Sequence, residues 1–245
     1  MRLIRAKNYQ DASRKVANII SAQVILKPDC VLGLATGSSP VGAYQQLIKW
    51  CDQGDVDFAQ TRTVNLDEYV GLSADHDQSY SYFMHQNFFD HINIDPANTN
   101  LPNGLESDAE KECARYDKVI ANLGGVDLQL LGIGENGHIG FNEPAEQFST
   151  GTNRVDLTAS TIAANSRFFE NESLVPRRAY TMGMLAIMQA KRIVMIATGA
   201  NKAQAVHDAF CGPVTPKMPA SILQLHPDFV LVADEEALAL VGDKL

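Results

Sequence analysis

The sequence predicts an α/β fold: a mainly parallel, doubly wound, Rossmann-like sheet with helices on both faces. Three observations carry this. Short apolar runs rich in Val, Ile and Leu alternate with amphipathic stretches of helical period along 245 residues. Four of those runs end in glycine-containing or polar loops, where open α/β sheets place their ligands. No repeat, low-complexity tract or linker interrupts the pattern, so residues 1-245 read as a single domain.

The elements follow in order. Tyr9 to Leu26 reads as a helix, with Ala12, Val16, Ile19, Ile20 and Gln23 close to one stripe, and Pro28 and Asp29 stop it. Cys30 to Ala35 is a short apolar strand. Ser39 and Pro40 start a second helix, with Ser as N-cap and Pro at the first helical position. Thr63 to Leu66 is a strand. Ser79 to Ile92, rich in aromatics, is a helix, and Asn93 to Gly104 is turn-rich. Ser107 to Leu123 is helical, opened by the capping-box spacing Ser107-x-x-Glu110. Val126 to Ile133 is a strand. Ala186 to Ala190 ends a helix leading into the strand Arg192 to Ala197, and Ala200 to Phe210 is a helix. Asp228 to Ala233 is the last strand and Glu235 to Val241 the last helix.

The formal charge of −9 is spread without long runs, which disfavours a nucleic-acid partner. No apolar run approaches the roughly 20 residues of a membrane span, so no membrane association is expected. Met1 to Lys7 is positively charged but has no apolar core behind it and is not a signal peptide. The four cysteines (Cys30, Cys51, Cys113 and Cys211) make neither a C-x-x-C nor a zinc spacing. Reduced thiols in a cytoplasmic protein without a metal site are the expectation.

Chemistry concentrates in the strand-end loops. The densest is Gly132 to Pro144, where Asn136, His138 and Glu143 stand among four glycines. His138 can exchange protons near neutral pH. Glu143 can fix its tautomer, and Asn136 can orient the ring or a substrate. No Ser or Cys nucleophile accompanies them, which favours proton transfer over acyl transfer. Gly132, Gly134 and Gly137 also match G-x-G-x-x-G, but Gly140, Asn142 and Pro144 block the helix that a dinucleotide site requires at its third glycine. A tight loop with an ordinary core histidine is the plainer alternative.

Thr36, Gly37 and Ser38 form a small-residue turn before a helix, suited to an anion. A plain capped turn reads equally well there. Asp67 and Glu68 are adjacent acids directly after a strand, where partial desolvation suits a general base; for an isolated pair, a cap and a solvated acid are the commoner outcome. Lys202 sits in a first helical turn, where a cation opposes the helix dipole unless an anion compensates it. Arg167 lies beside Phe168 and Phe169, a geometry suited to phosphate or simply to surface packing.

Over nearly its full length the chain resembles the glucosamine-6-phosphate deaminases. The motifs that carry the resemblance are Asn65-Leu-Asp-Glu-Tyr-Val-Gly71, Ser81-Tyr-Phe-Met-His-x-Asn-Phe-Phe-Asp-His91, Gly134-x-Asn-Gly-His-Ile-x-Phe-Asn-Glu-Pro144 and Asn165-Ser-Arg-Phe-Phe169. The resemblance implies conversion of glucosamine 6-phosphate and water to fructose 6-phosphate and ammonia. It implies that His138 opens the sugar ring beside Glu143 and Asn136, and that Asp67 moves the C2 proton to C1 with Glu68 next to it. Thr36, Gly37, Ser38, Arg167 and Lys202 resemble the phosphate and hydroxyl contacts. The implied partner is a small amino-sugar phosphate, and no cofactor is implied.

Two departures from the family set expectations. Many members carry Asp where this chain has Asn136, so the imidazolium is less stabilised and the pH profile altered. The chain also ends soon after Val241, and Asn153 to Asp156 only weakly echoes the basic run that binds N-acetylglucosamine 6-phosphate in allosteric members. Weak or absent activation and a monomer or small homo-oligomer follow. The competing readings are a 6-phosphogluconolactonase, which needs no C2 base, and a non-catalytic sugar-phosphate sensor, which needs an N-terminal DNA-binding element. Asp67 with Glu68 argues against the first, and the single helix before Cys30 against the second.

Overall fold

The computed structural model describes residues 1–166, 169 and 171–242, with the backbone alone at residues 160, 164, 165 and 172. Seven parallel strands form the main sheet, in the order β1 (Arg2–Ala6), β10 (Phe229–Asp234), β9 (Arg192–Ala197), β6 (Leu128–Leu131), β2 (Val31–Leu34), β3 (Arg62–Asn65), β5 (Thr99–Asn100). Every residue of β2, β6 and β10, and all of β9 but Arg192, is buried. A parallel sheet needs that cover on both faces, which is why these strands are near-continuous apolar runs.

The covering helices are α1 (Tyr9–Leu26), α2 (Ser38–Asp52), α3 (Tyr80–Asn87), α4 (Ala109–Asn122), α6 (Met184–Met188) and α7 (Ala203–Cys211). Helix α1 buries Ala12, Val16, Ile20 and Val24, a stripe of helical period that packs on α2 and the sheet. Chain order reverses at the β2–β6 pair: β3 and β5 extend the sheet on one side, β6, β9 and β10 on the other. A crevice opens outside the carboxyl ends of the strands at such a switch point.

Three sequence-based expectations need correction. The cap of α2 is Gly37, at φ 86°, and not Ser39: the chain turns two residues earlier, through a left-handed conformation that favours glycine. Helix α4 starts at Ala109 behind Asp108, whose carboxylate accepts from Lys111 N, so the Ser107 box does not form. Residues 235–241 fold as turns and not as a helix.

A second sheet was not expected. It is antiparallel, in the order β4 (Asp67–Tyr69), β8 (Arg178–Thr181), β7 (Asn153–Asp156). Strand β4 leaves β3 with only Leu66 between them, and Leu66 bridges the sheets: its N–H donates to Leu34 O at 3.1 Å and its carbonyl accepts from Met182 N at 2.6 Å. A smaller apolar cluster of Tyr69, Phe141, Leu157, Ile162, Val175 and Ala179 supports this sheet. The short helix α5 (Ala159–Asn165) follows β7.

Candidate active site

The switch-point crevice holds a cavity of about 1150 Å³. Loops after β2, β6, β9 and β10 and the start of β4 converge on it, and it is lined by Thr36, Gly37, Ser38, Asp67, Asn136, His138 and Lys202. Seven of the ten residues expected at the site therefore reach one space. Glu143 stands just behind, bonded to Asn136. Glu68 faces elsewhere, and Arg167 lies outside the described residues.

Asp67 and Glu68 separate because they lie on a strand, where successive side chains point to opposite faces. Asp67 is 5% exposed and meets no hydrogen-bond donor among the described residues. Burial, and then the neighbouring Glu68, raise its carboxyl well above the ordinary range. Glu68 points at the start of α3 and accepts from Tyr80 N and Ser81 N, each at 2.9 Å, and from its neighbour Tyr69 N at 2.8 Å. Its carboxyl is pushed up to about 7, because burial outweighs those three bonds. The Glu68 carboxylate thus fastens α3 to β4, and with it Tyr80, whose ring stacks on Phe141 at 5.8 Å beside the cavity.

The loop after β6 opens no helix. Ile139 and Asn142 pair as an isolated bridge, and Gly134 N–H donates to His138 O at 2.9 Å, so the segment closes on itself. Gly140 takes φ 58° where the loop passes beneath Asp67: a Cβ there would lie 3.4 Å from Asp67 Oδ2 and 2.9 Å from Thr181 Oγ1. Only glycine allows the histidine loop and the carboxylate to approach this closely.

Glu143 Oε2 accepts from Asn136 Nδ2 at 2.7 Å and lies 3.6 Å from His138 Nδ1. The second distance is that of an ion pair, too long for a hydrogen bond, and His138 Nδ1 is buried without a hydrogen-bond partner among the described residues. Burial works to raise the Glu143 carboxyl, but His138, Thr161 and Asn136 together outweigh it and hold the group at about 2. The pair therefore offers a fixed anion behind an imidazole, and Asp67 lines the same cavity.

Helix α2 begins at Ser38, with Gly37 at its N-cap and no side-chain cap bond, and Gly37, Ser38 and Ser39 line the cavity, so the uncapped start of the helix borders it. Lys202 closes the turn Ala200–Lys202 and stands at the N-cap of α7, one step before the helix in whose first turn it was expected. Gly199 N–H donates to Asp234 at the end of β10, which anchors this loop. Lys7 also lines this region, and nothing in its local sequence marked it.

Residues 5–231 match the family model of glucosamine-6-phosphate isomerases and 6-phosphogluconolactonases. The chain belongs to this family. It is 60% identical over 232 residues to the glucosamine-6-phosphate deaminase of Lachnoclostridium phytofermentans, covering 95% of this chain and 98% of that one. It is 52% identical to the deaminase of Thermoanaerobacter pseudethanolicus, covering 100% of this chain and 96% of the relative. Among solved structures it is similar to a monomeric glucosamine-6-phosphate deaminase, with TM-score 0.96 and 43% identity over 98% of this chain and 100% of that one. A 6-phosphogluconolactonase from Leishmania guyanensis, at TM-score 0.72 and 19% identity over 96% and 97% of the two chains, shares the fold alone.

Within this family fold, sequence reasoning missed Thr158 and Thr161. Both hydroxyls contact Glu143, Thr158 from the N-cap of α5 and Thr161 from its first turn, and Thr161 also lines the cavity. Isolated threonines make no motif. The one available signal was the N-cap preference of Thr158, which accepts from Thr161 N at 3.3 Å.

Proposed function

We propose that this chain is a glucosamine-6-phosphate deaminase, converting glucosamine 6-phosphate and water to fructose 6-phosphate and ammonia. The observation that carries the reading is one cavity holding two proton-transfer groups of different kinds: His138 backed by ionised Glu143, and Asp67 buried with no donor among the described residues. Identity of 60% to a deaminase over nearly the full chain supports it.

His138 carries a proton between the sugar's ring oxygen and its C1 hydroxyl, which opens the ring to the aldehyde. Glu143 stabilises the imidazolium formed on the way, and Asn136 holds Glu143. Asp67 then removes the C2 proton to give an enolamine and returns it to C1, leaving a ketose imine. Water adds to the imine carbon, ammonia leaves and the ketone forms. A carboxylate gains proton affinity, and so strength as a base, when its carboxyl is raised; burial, and then Glu68, raise that of Asp67. The phosphate lies at Thr36, Gly37 and Ser38 with Lys202, where backbone donors and a cation complement its charge; Arg167 is assigned to the same end on sequence alone. Glu68 acts through Asp67 and α3, not on the sugar. On this reading the enzyme serves amino-sugar breakdown in the cytoplasm.

Ammonia release from glucosamine 6-phosphate by the purified protein tests the assignment, with Asp67→Asn as control. The wild type is expected to release ammonia and the variant to lose about 10³-fold or more in kcat, the scale of a missing proton-transfer group. Hydrolysis of 6-phosphogluconolactone without ammonia release would overturn the reading in favour of the lactonase branch.

A further inference from the structure

Glu143 has two oxygens with separate duties. Oε2 serves Asn136 and faces His138 Nδ1. Oε1 is taken by α5: Thr161 Oγ1 donates to it in a short hydrogen bond, and Thr158 Oγ1 stands 3.2 Å from it and 3.1 Å from Thr161 Oγ1. Thr161 is 5% exposed, so water does not compete for its hydroxyl. A carboxylate held at one oxygen cannot swing as a whole. What remains is a small rotation that passes Oε2 between Asn136 at 2.7 Å and His138 at 3.6 Å.

We propose that Thr161, with Thr158 beside it, is a positioning residue for the ring-opening step: its hydroxyl holds Glu143 so that Oε2 stays within reach of His138 Nδ1. The assignment rests on His138 as the ring-opening group. Without the hydroxyl, Oε1 loses the Thr161 donor, the carboxylate turns toward Asn136 and solvent, and the imidazolium formed in the reaction loses its counter-ion. Among the described residues, the other ionisable groups lining the same cavity are Asp67 on β4, Tyr80 on α3, Glu135 on the histidine loop and Lys202 before α7, together with Lys7, Tyr9, Asp234 and Glu236. Removal of a neutral hydroxyl changes none of their charges, so a shift in pH dependence reports the Glu143–His138 geometry.

Thr161→Val keeps the shape and removes the hydroxyl, and Thr161→Ser keeps the hydroxyl. For Thr161→Val we expect kcat for ammonia release to fall about tenfold with KM within about twofold, and the acid limb of the kcat profile to move. Thr161→Ser is expected to restore the rate to within about threefold. Unchanged kcat and pH profile in Thr161→Val, a loss confined to KM, or a serine variant as poor as the valine would each overturn the proposal. Circular dichroism and melting temperature check the fold, and Thr161→Ala replaces the valine variant if that one does not fold. An NMR titration of the His138 ring in wild type and variant is independent of turnover. Equal midpoints overturn the positioning role, whereas different midpoints in a protein that releases no ammonia would leave it standing and overturn the deaminase reading instead.

Discussion

At the scale of single residues, Asn136 decides how the histidine pair is held. Its amide donates to Glu143 Oε2 at 2.7 Å while its carbonyl oxygen accepts from His138 N at 3.2 Å, so one neutral side chain braces both partners. An aspartate could accept from His138 N but could not donate to Glu143. Two carboxylates would then meet at that short distance, and their repulsion would free Oε2 toward His138 Nδ1 while adding a second negative charge near the ring. Asn136→Asp is therefore expected to move the acid limb of the kcat profile to higher pH by about one unit. An unchanged pH–rate profile would sink this account. The acid pair Asp67-Glu68 shows what the sequence displayed and what it hid. Its place beside a strand end was legible, but its division of labour was not. The two side chains part only because β4 pairs with β8, a partner more than a hundred residues away.

At the scale of elements, legibility followed the range of the forces involved. The strand Arg192–Ala197 and helix Tyr9–Leu26 have the bounds that their own periodicity implies, since burial on both faces or one stripe is written locally. Strands β4, β7 and β8 are short, partly polar and stable only against each other, so no local pattern announced them. Asp127, just before β6, shows how the central strands are tied at the end opposite the site. Its carboxylate accepts from Lys27 Nζ at 2.8 Å, Lys191 Nζ at 2.8 Å and Val31 N at 2.8 Å, linking the starts of β2, β6 and β9. Burial alone would raise this carboxyl, but the two lysines and the amide outweigh it and hold the group at about 2. A depressed folded-state value means stabilisation that is complete above the ordinary carboxylate value and lost as pH falls through about 2. Asp127→Asn is expected to lose about 2 kcal/mol of unfolding free energy at neutral pH. The gap to wild type should close in acid. Denaturant titrations at several pH values check this, and an equal deficit at neutral and acid pH would show that packing, not charge, sets the cost.

At the scale of the whole molecule, among the described residues the strand ends, the small sheet and α5 all deliver candidate site residues to a single cavity of this chain. Strand β7 lies at the edge of the small sheet, and its residues Asn153 to Asp156 are the segment that only weakly echoes the basic run expected of allosteric members. There it presents Arg154 and Asp156, and Asp156 is already engaged with Arg178 at 3.0 Å. An acid paired to a neighbouring arginine is poor ground for a sugar phosphate, the more so on a chain of formal charge −9. The large exposed apolar side chains, such as Leu26, Leu105, Leu185 and Leu225, lie on separate elements of the chain. Two measurements bear on this arrangement. Sedimentation is expected to give a monomer or small homo-oligomer. The rate is expected to rise hyperbolically with glucosamine 6-phosphate and to ignore added N-acetylglucosamine 6-phosphate. A sigmoidal curve made hyperbolic by the acetylated sugar would mean that β7 does bind an activator, and that Arg154 and Arg178 leave their present arrangement to do so.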